Sequence, residues 1–261
     1  MREAARVLLA VAHPDDETLG AGILLSRSPD IRVIHVTDGV PQDLAFVARR
    51  FSGTLEEYAA VRQRELAAAL ALAGIGPERL RCLGARDQAV VFEIPRLTRE
   101  LAEAFRETSP GVVLTHAYEG GHPDHDAVAL AVHAAADLLR SEGARPPEIW
   151  EMALYHAEPG ENPERRMIAG EFLPGSGREE IRISLTDEER DLKRRMIGCF
   201  ETQAETLQAF LPPRDERLRP APRYDFTQPP HEGRLQYEIW RFGMTGERWR
   251  EVALALQQQL C

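Results

Sequence analysis

The first repeated pattern in the chain is an uninterrupted apolar run at Val7–Ala12, as a strand shows when both its faces are covered. Apolar positions at helical spacing follow over Thr18–Ser26, and a second run, IRVIHVT, predicts a strand at Ile31–Thr37. Leu55–Leu72, rich in Ala, Leu, Glu and Arg, reads as a helix stopped by Gly74. The alternation continues with a short strand at Leu80–Leu83, a helix at Pro95–Thr108 and a strand at Gly111–His116. An Ala-rich helix at Asp124–Ser141 and a strand at Ile149–His156 complete it. This rhythm predicts an α/β fold: a Rossmann-like, doubly wound, mainly parallel sheet with helices on both faces and right-handed crossovers.

After residue 157 the pattern changes. Glu158–Gly177 reads as a loop and Ile181–Leu185 as a strand. Thr186-Asp187-Glu188-Glu189 opens a helix that runs to about Phe210. Leu211–Gly233 contains six prolines and reads as a long, stiff loop, followed by a strand at Leu235–Trp240 and a closing helix at Glu247–Gln259. Residues 1–157 are therefore expected to form the core. Residues 158–261 are expected to form a C-terminal extension of helices and short strands packed on it, within one domain overall.

Composition narrows the class. With 43% hydrophobic and 28% charged residues in 261, the chain is neither a disordered polymer nor a fibrous rod. A net charge of −10, from 32 basic and 42 acidic residues, argues against a general nucleic-acid binder, which needs a basic face. No run reaches the ~18 apolar residues of a bilayer span, and Val7–Ala12 is too short for a signal-peptide core. Cys82, Cys199 and Cys261 are an odd number without metal-type spacing and read as reduced thiols. The expectation is a cytoplasmic protein acting on a small molecule, with its oligomeric state left open.

The chemistry is concentrated in two similar turns. His13-Pro14-Asp15-Asp16-Glu17 follows the first strand, and His122-Pro123-Asp124-His125-Asp126 follows the strand at Gly111–His116. Proline at a first helical position and aspartate in a first turn have structural explanations of their own. Those explanations do not account for a histidine at both starts and a metal-type ligand three residues later in each. Residues three apart on a helical turn face the same way. In a Rossmann-like sheet the first and fourth strands are neighbours at the point where strand order reverses, and ligands bind there. The two turns should therefore meet. His13, Asp16 and His125 would form a His2Asp set with an open position, as in a catalytic zinc site. Asp15 is left to take a proton from metal-activated water. His122, as an imidazolium, would stabilise the oxyanion formed on an attacked carbonyl and protonate the leaving amine. Zinc is the default ion and iron(II) the alternative.

The other histidines have plainer readings. His35 lies inside a strand, and His133 is turned away from His125 on the helix. His116 and His156 end strands and either line the pocket or serve the core, and His231 lies in the proline-rich loop. A dinucleotide-dependent oxidoreductase would need G-x-G-x-x-G after the first strand, where HPDDE stands instead. A non-haem iron oxygenase would use the same His2Asp ligands, but the spare carboxylate favours hydrolysis. A non-catalytic sugar-binding homologue remains a further alternative, although all five chemical positions are present.

The segments Ala-His-Pro-Asp-Asp-Glu at 12–17 and Gly-His-Pro-Asp-His at 121–125 resemble the PIG-L/LmbE-like family of zinc-dependent N-deacetylases. The likeness extends over about residues 5–157. It implies removal of acetyl from an N-acetylglucosaminyl-type sugar conjugate. It also implies His13, Asp16 and His125 as metal ligands, Asp15 as general base, His122 on the oxyanion side, and Asp124 as the residue that holds a histidine. Arg62, in an Arg-x-x-Glu, and Asp87 look like family substrate contacts. Leu211–Gly233, with Arg214, Arg217, Arg219, Arg223, Tyr224, Phe226 and His231, is expected either to wall the site mouth or to strap the C-terminal helices to the sheet.

Overall fold

Period-two alternation within the first apolar run divides the interior in two. In a computed structural model describing residues 6–28, 30–41, 51–160 and 166–258, that run forms β1 (Val7–Val11). Leu8 and Ala10 face one apolar cluster, and Leu9 and Val11 face another on the opposite side of the sheet. β2 (Arg32–Pro41), β3 (Leu80–Asp87), β4 (Val112–His116) and β5 (Glu148–Met152) pair with β1 or with one another in parallel. One cluster is closed by α3 (Ile94–Thr108), α4 (Pro123–Ser141) and α8 (Gly246–Gln257). The other is closed by α1 (Asp16–Arg27), α2 (Leu55–Leu72) and α5 (Asp187–Gly198). Buried apolar area on both faces is the main favourable term in such a fold. The expected Rossmann-like α/β architecture is therefore present, with β1 and β4 adjacent.

Beyond the core, the chain departs from its expected elements in several places. The strand expected over Ile149–His156 ends at Met152, and β6 (Tyr155–Ala157) pairs instead with β7 (Met167–Ala169) in a separate two-stranded sheet. β7 lies within the segment expected to be a loop at Glu158–Gly177, of which residues 161–165 fall outside the described residues. The helix expected to reach Phe210 stops at Gly198. Short turns follow, including α6 (Ala204–Leu207). Leu235–Trp240 is not a strand. Its middle forms a single turn of helix, α7 (Gln236–Ile239), because Glu238 Oε2 accepts the Leu235 N–H at 2.8 Å.

The proline-rich segment holds the largest difference. It contains β9 (Glu216–Pro220), which pairs antiparallel with β5 and then with β8 (Ile181–Ile183), giving the order β3-β2-β1-β4-β5-β9-β8. The extension thus completes the core's own sheet. Glu216 explains the tight join. Helix α1 breaks at Ala21 (φ −144°, ψ 18°), and the amides of Ile23 and Leu24 donate to Glu216 Oε1 and Oε2 at 2.7 and 2.9 Å. Lys193 of α5 neutralises the same buried carboxylate at 2.7 Å. The closing helix ends at Gln257 rather than Gln259, and residues 259–261, with Cys261, lie outside the described residues.

Candidate active site

Both His-Pro-Asp turns emerge at the carboxyl edge of adjacent strands, the first after β1 and the second after β4. In the first, Asp16 Oδ2 accepts the His13 backbone N–H at 2.7 Å and lies 3.3 Å from His13 Nδ1. Asp15 between them has φ 132° and ψ −29°. Such a conformation costs a residue with a Cβ on the order of 1–3 kcal/mol and persists only when its surroundings impose it. Glu17 helps to impose it: its Oε2 accepts the Asp15 N–H at 3.0 Å and meets His35 Nε2 at 3.0 Å. His35 is thus a satisfied core residue, in line with its place in a strand. Glu17 is a member of the site that the sequence did not reveal, because an acidic residue in a first helical turn already has an explanation in the helix dipole.

The second turn is regular. His122 caps α4, its Nδ1 accepting the Asp124 N–H at 3.1 Å. With Nδ1 used as an acceptor, the neutral imidazole carries its proton on Nε2. Asp124 is fully buried, its Oδ1 accepting the Val90 N–H at 3.1 Å and its Oδ2 the Gln88 N–H at 2.6 Å. The same Oδ2 accepts from His13 Nε2 at 3.2 Å. Close approach of the two turns to their surroundings also needs Gly121, where a Cβ would come within 2.2 Å of the Tyr155 carbonyl oxygen.

Asp16 is where the two turns meet, its Oδ1 lying 3.1 Å from His125 Nε2. His13 Nδ1, Asp16 and His125 Nε2 are thus linked by separations of 3.1 and 3.3 Å. Two ligands of one tetrahedral ion at about 2.1 Å stand roughly 3.4 Å apart, close to each of these two separations, which are made by different oxygens of Asp16. Ligand-type atoms of His13, His122 and His125 also lie within 4.8 Å of one another, as do those of Asp16, His116 and His125. His116 is less suited to a metal, because its Nε2 accepts the Ala12 N–H at 2.8 Å and so ties β4 to the end of β1.

The electrostatics favour a cation. Burial opposes charge on His13, but Asp87, Asp124 and Asp16 together hold its pKa well above the ordinary value. Burial also acts against charge on Asp16, yet His125 and His116 bring its pKa well below the usual carboxylate range. Asp15 differs: burial pushes it up to about 7 despite Arg62 alongside. Burial, reinforced by His13 and His125, pushes His122 well below its ordinary value. Both this shift and the Asp124 N–H held at Nδ1 act against the imidazolium expected of His122.

The two expected substrate contacts are both in the cavity wall. Arg62 is almost wholly buried, and its Nη2 donates to Asp15 Oδ2 at 3.0 Å and to the Pro14 carbonyl. Its Nε has no partner among the described residues. The guanidinium therefore first of all fixes Asp15. Glu65, the other end of the Arg-x-x-Glu, accepts from Thr202 N–H at 2.7 Å and binds the segment after α5 to α2. Asp87 Oδ1 lies 3.2 Å from His13 Nε2 without a hydrogen-bond partner.

The cavity over these groups measures about 140 Å³. Its remaining wall includes the apolar side chains of Tyr155, Leu207, Phe210, Trp240 and Phe242 and the polar ones of Gln88, Gln203 and Thr206. Leu211–Gly233 contributes none of the lining, which corrects the wall expectation in favour of the strap. Arg219 is buried between Glu151 at 2.9 Å and Glu119 at 3.0 Å, and Arg217 lies 3.1 Å from Glu171. Arg214 donates to the Ala169 carbonyl at 3.0 Å. Tyr224 and Phe226 stack with Tyr118 and His133 on the far side of α4, beside a larger groove of about 1020 Å³. His133 lines that groove, while His156 and His231 line neither cavity. Strand alternation turns Tyr155, rather than His156, toward the site.

A Rossmann-like sheet with two His-Pro-Asp turns converging at its switch point makes this an α/β protein with a candidate metal site there. The chain matches, over residues 8–136, the PIG-L family model described as GlcNAc-PI de-N-acetylase. It is 28% identical over 246 residues to the 1D-myo-inositol 2-acetamido-2-deoxy-alpha-D-glucopyranoside deacetylase of Thermobispora bispora, a match taking in 82% of this chain and 77% of that one. With the protein of the same name from Rhodococcus jostii the identity is 33%, over 57% of this chain and 59% of the other. Several further relatives of that name are matched over only about half of their length, 50–54%. The fold is shared with the N,N'-diacetylchitobiose deacetylase of Pyrococcus horikoshii, at a TM-score of 0.53 and 20% identity over 80% of this chain and 76% of that one. No helix among the described residues is long and apolar enough to cross a membrane.

Proposed function

We propose that this chain is a metal-dependent hydrolase removing the acetyl group from an N-acetylated amino sugar or sugar conjugate of the N-acetylglucosaminyl type. The observation that carries the reading is the division of labour in the cavity. His13, Asp16 and His125 converge, while Asp15 stands beside them on a different partner, Arg62. The relatives' deacetylase activities support it.

His13 through Nδ1, Asp16 and His125 through Nε2 would hold the ion, zinc by default and iron(II) as the alternative. When bound, the ion makes water nucleophilic near neutral pH and polarises the amide carbonyl. Asp15, fixed by Arg62, takes the proton of the attacking water and passes it to the departing sugar nitrogen. His122 donates its Nε2–H to the carbonyl oxygen as charge develops there. Asp124 holds His13 through Nε2, which turns Nδ1 toward Asp16. The free oxygen of Asp87 and the Nε of Arg62 are proposed to meet substrate hydroxyls. The products are acetate and the free amine, and the setting is taken to be the cytoplasm.

The test is acetate release from N-acetylglucosamine and its conjugates by purified protein supplied with zinc or iron(II), with and without a chelator. Metal-dependent release is expected. Sugar binding without release would identify a non-catalytic homologue instead.

A further inference from the structure

Part of the cavity wall comes from the C-terminal extension. Phe210 ends the turns after α5, and Trp240 and Phe242 follow α7. Trp240 stands 5.4 Å from Tyr155 and 5.8 Å from Phe242, ring centroid to centroid. Phe242 in turn lies 4.8 Å from His122, so the aromatic row begins at the reacting groups and runs outward. Trp240 is 37% exposed, whereas Trp249 is fully buried with its Nε1 donating to the Pro123 carbonyl. A tryptophan left partly open at the rim of a catalytic cavity, with rings behind it, presents a rigid apolar face.

Charge narrows what that face receives. Arg62 is the one arginine or lysine in the cavity lining among the described residues, and it is engaged by Asp15, the Pro14 carbonyl and Glu65. The lining also includes the carboxylates Asp15, Asp16 and Asp87. Apart from an ion held by Asp16 and the histidines, an anionic group entering here would meet carboxylates with no unengaged arginine or lysine in the cavity lining among the described residues, Arg241 being exposed beside Trp240 and outside that lining.

We propose that Trp240, with Phe242 and Phe210, forms an aglycone subsite for an uncharged substituent with an apolar ring face, carried on the sugar whose acetamide reacts. This specifies the substrate class of the deacetylase reading and rests on that reading for the sugar's orientation. The sugar places its acetamide at His122, and the substituent leaves along the aromatic row onto Trp240.

The experiment measures binding of the amine products, which are not turned over. Phenyl, 4-carboxyphenyl and methyl glucosaminides of one anomer are titrated calorimetrically into the zinc-loaded protein. The phenyl glycoside should bind roughly tenfold more tightly than the methyl one, the size expected of one well-stacked ring. The carboxyphenyl glycoside should lose most of that gain. Trp240→Ala should bring the phenyl-to-methyl ratio close to one, and Trp240→Phe should keep most of it. Near-ultraviolet circular dichroism checks that each variant is folded. Equal binding of phenyl and methyl glycosides, no binding of either, or a preference that survives Trp240→Ala would overturn the subsite. Full affinity for the carboxyphenyl compound would overturn its uncharged character. If aryl binding depends on Trp240 while no N-acetyl glycoside releases acetate, the deacetylase reading fails and the subsite stands.

Discussion

The two His-Pro-Asp turns are alike in sequence and place, yet their central aspartates do different work. At Asp124 the helix starts cleanly on a His122 cap, and the carboxylate points inward to two backbone amides and His13. At Asp15 the backbone takes φ 132°, no side chain caps α1, and the carboxylate lines the cavity beside Arg62. The backbone torsion, together with the neighbour that meets each side chain, turns one aspartate inward as a support and leaves the other in the cavity, in the place of the proposed reactant. A motif position identifies the residue type, and the torsion decides its role.

The harshest way to break this comparison is to remove a shared ligand. Asp16→Ala or His125→Ala should abolish stoichiometric metal, read by elemental analysis, and bring acetate release to background. Next in size is Asp15→Asn. It should retain metal while the rate falls by about 10²–10⁴-fold, the range for losing a general base. If Asp15→Asn strips the metal and Asp16→Asn leaves it bound, the two aspartates have exchanged roles. Asp124→Asn should act on metal more gently, weakening affinity by roughly 10–100-fold, as loss of a partner behind a ligand does. It should also destabilise the fold by about 1–3 kcal/mol in chemical denaturation, since one buried amide loses its acceptor.

The smallest effect concerns what anchors the loop leading into the second turn. Glu119 is fully buried, accepts the Leu173 N–H at 2.7 Å and shares Arg219 with Glu151. Burial raises it to about 7 despite Arg219. Its folded pKa is therefore above its unfolded one. Between the two the unfolded chain has already lost the proton, so this residue's contribution falls as pH rises toward 7. Glu119→Gln, which cannot ionise, should gain melting temperature relative to the native protein between pH 5 and pH 8. A constant difference across that range would show that Glu119 stays ionised in the fold.

Much of the core was legible because its signals are local. Continuous apolar runs and helical spacing located β1, β4, α2 and α4, with α2 found at Leu55–Leu72 as expected. The pairing of β1 with β4, and hence the meeting of His13 with His125, followed from topology alone. The C-terminal third resisted because its elements are short and are held by distant partners. β9 owes its place to β5 on one side and β8 on the other, and nothing in a stretch with prolines at 212, 213, 220 and 222 announces that. The aromatic wall was missed for the same reason: Phe210, Trp240 and Phe242 look like ordinary core residues until the chain brings them beside His122.

By itself, the sequence determined the alternating α/β architecture, the two turns and the ligand types they carry, since each depends on residues within one helical turn or one strand. Only the tertiary structure decided which donors point where. Asp15 is driven into a strained torsion by Glu17 and Arg62, and Asp124 is drawn inward by the amides of Gln88 and Val90. Burial among other imidazoles pushes His122 well below its ordinary pKa. These outcomes depend on charges and hydrogen-bond partners separated by tens of residues along the chain and by about 3 Å in space, a proximity that only the folded sheet creates.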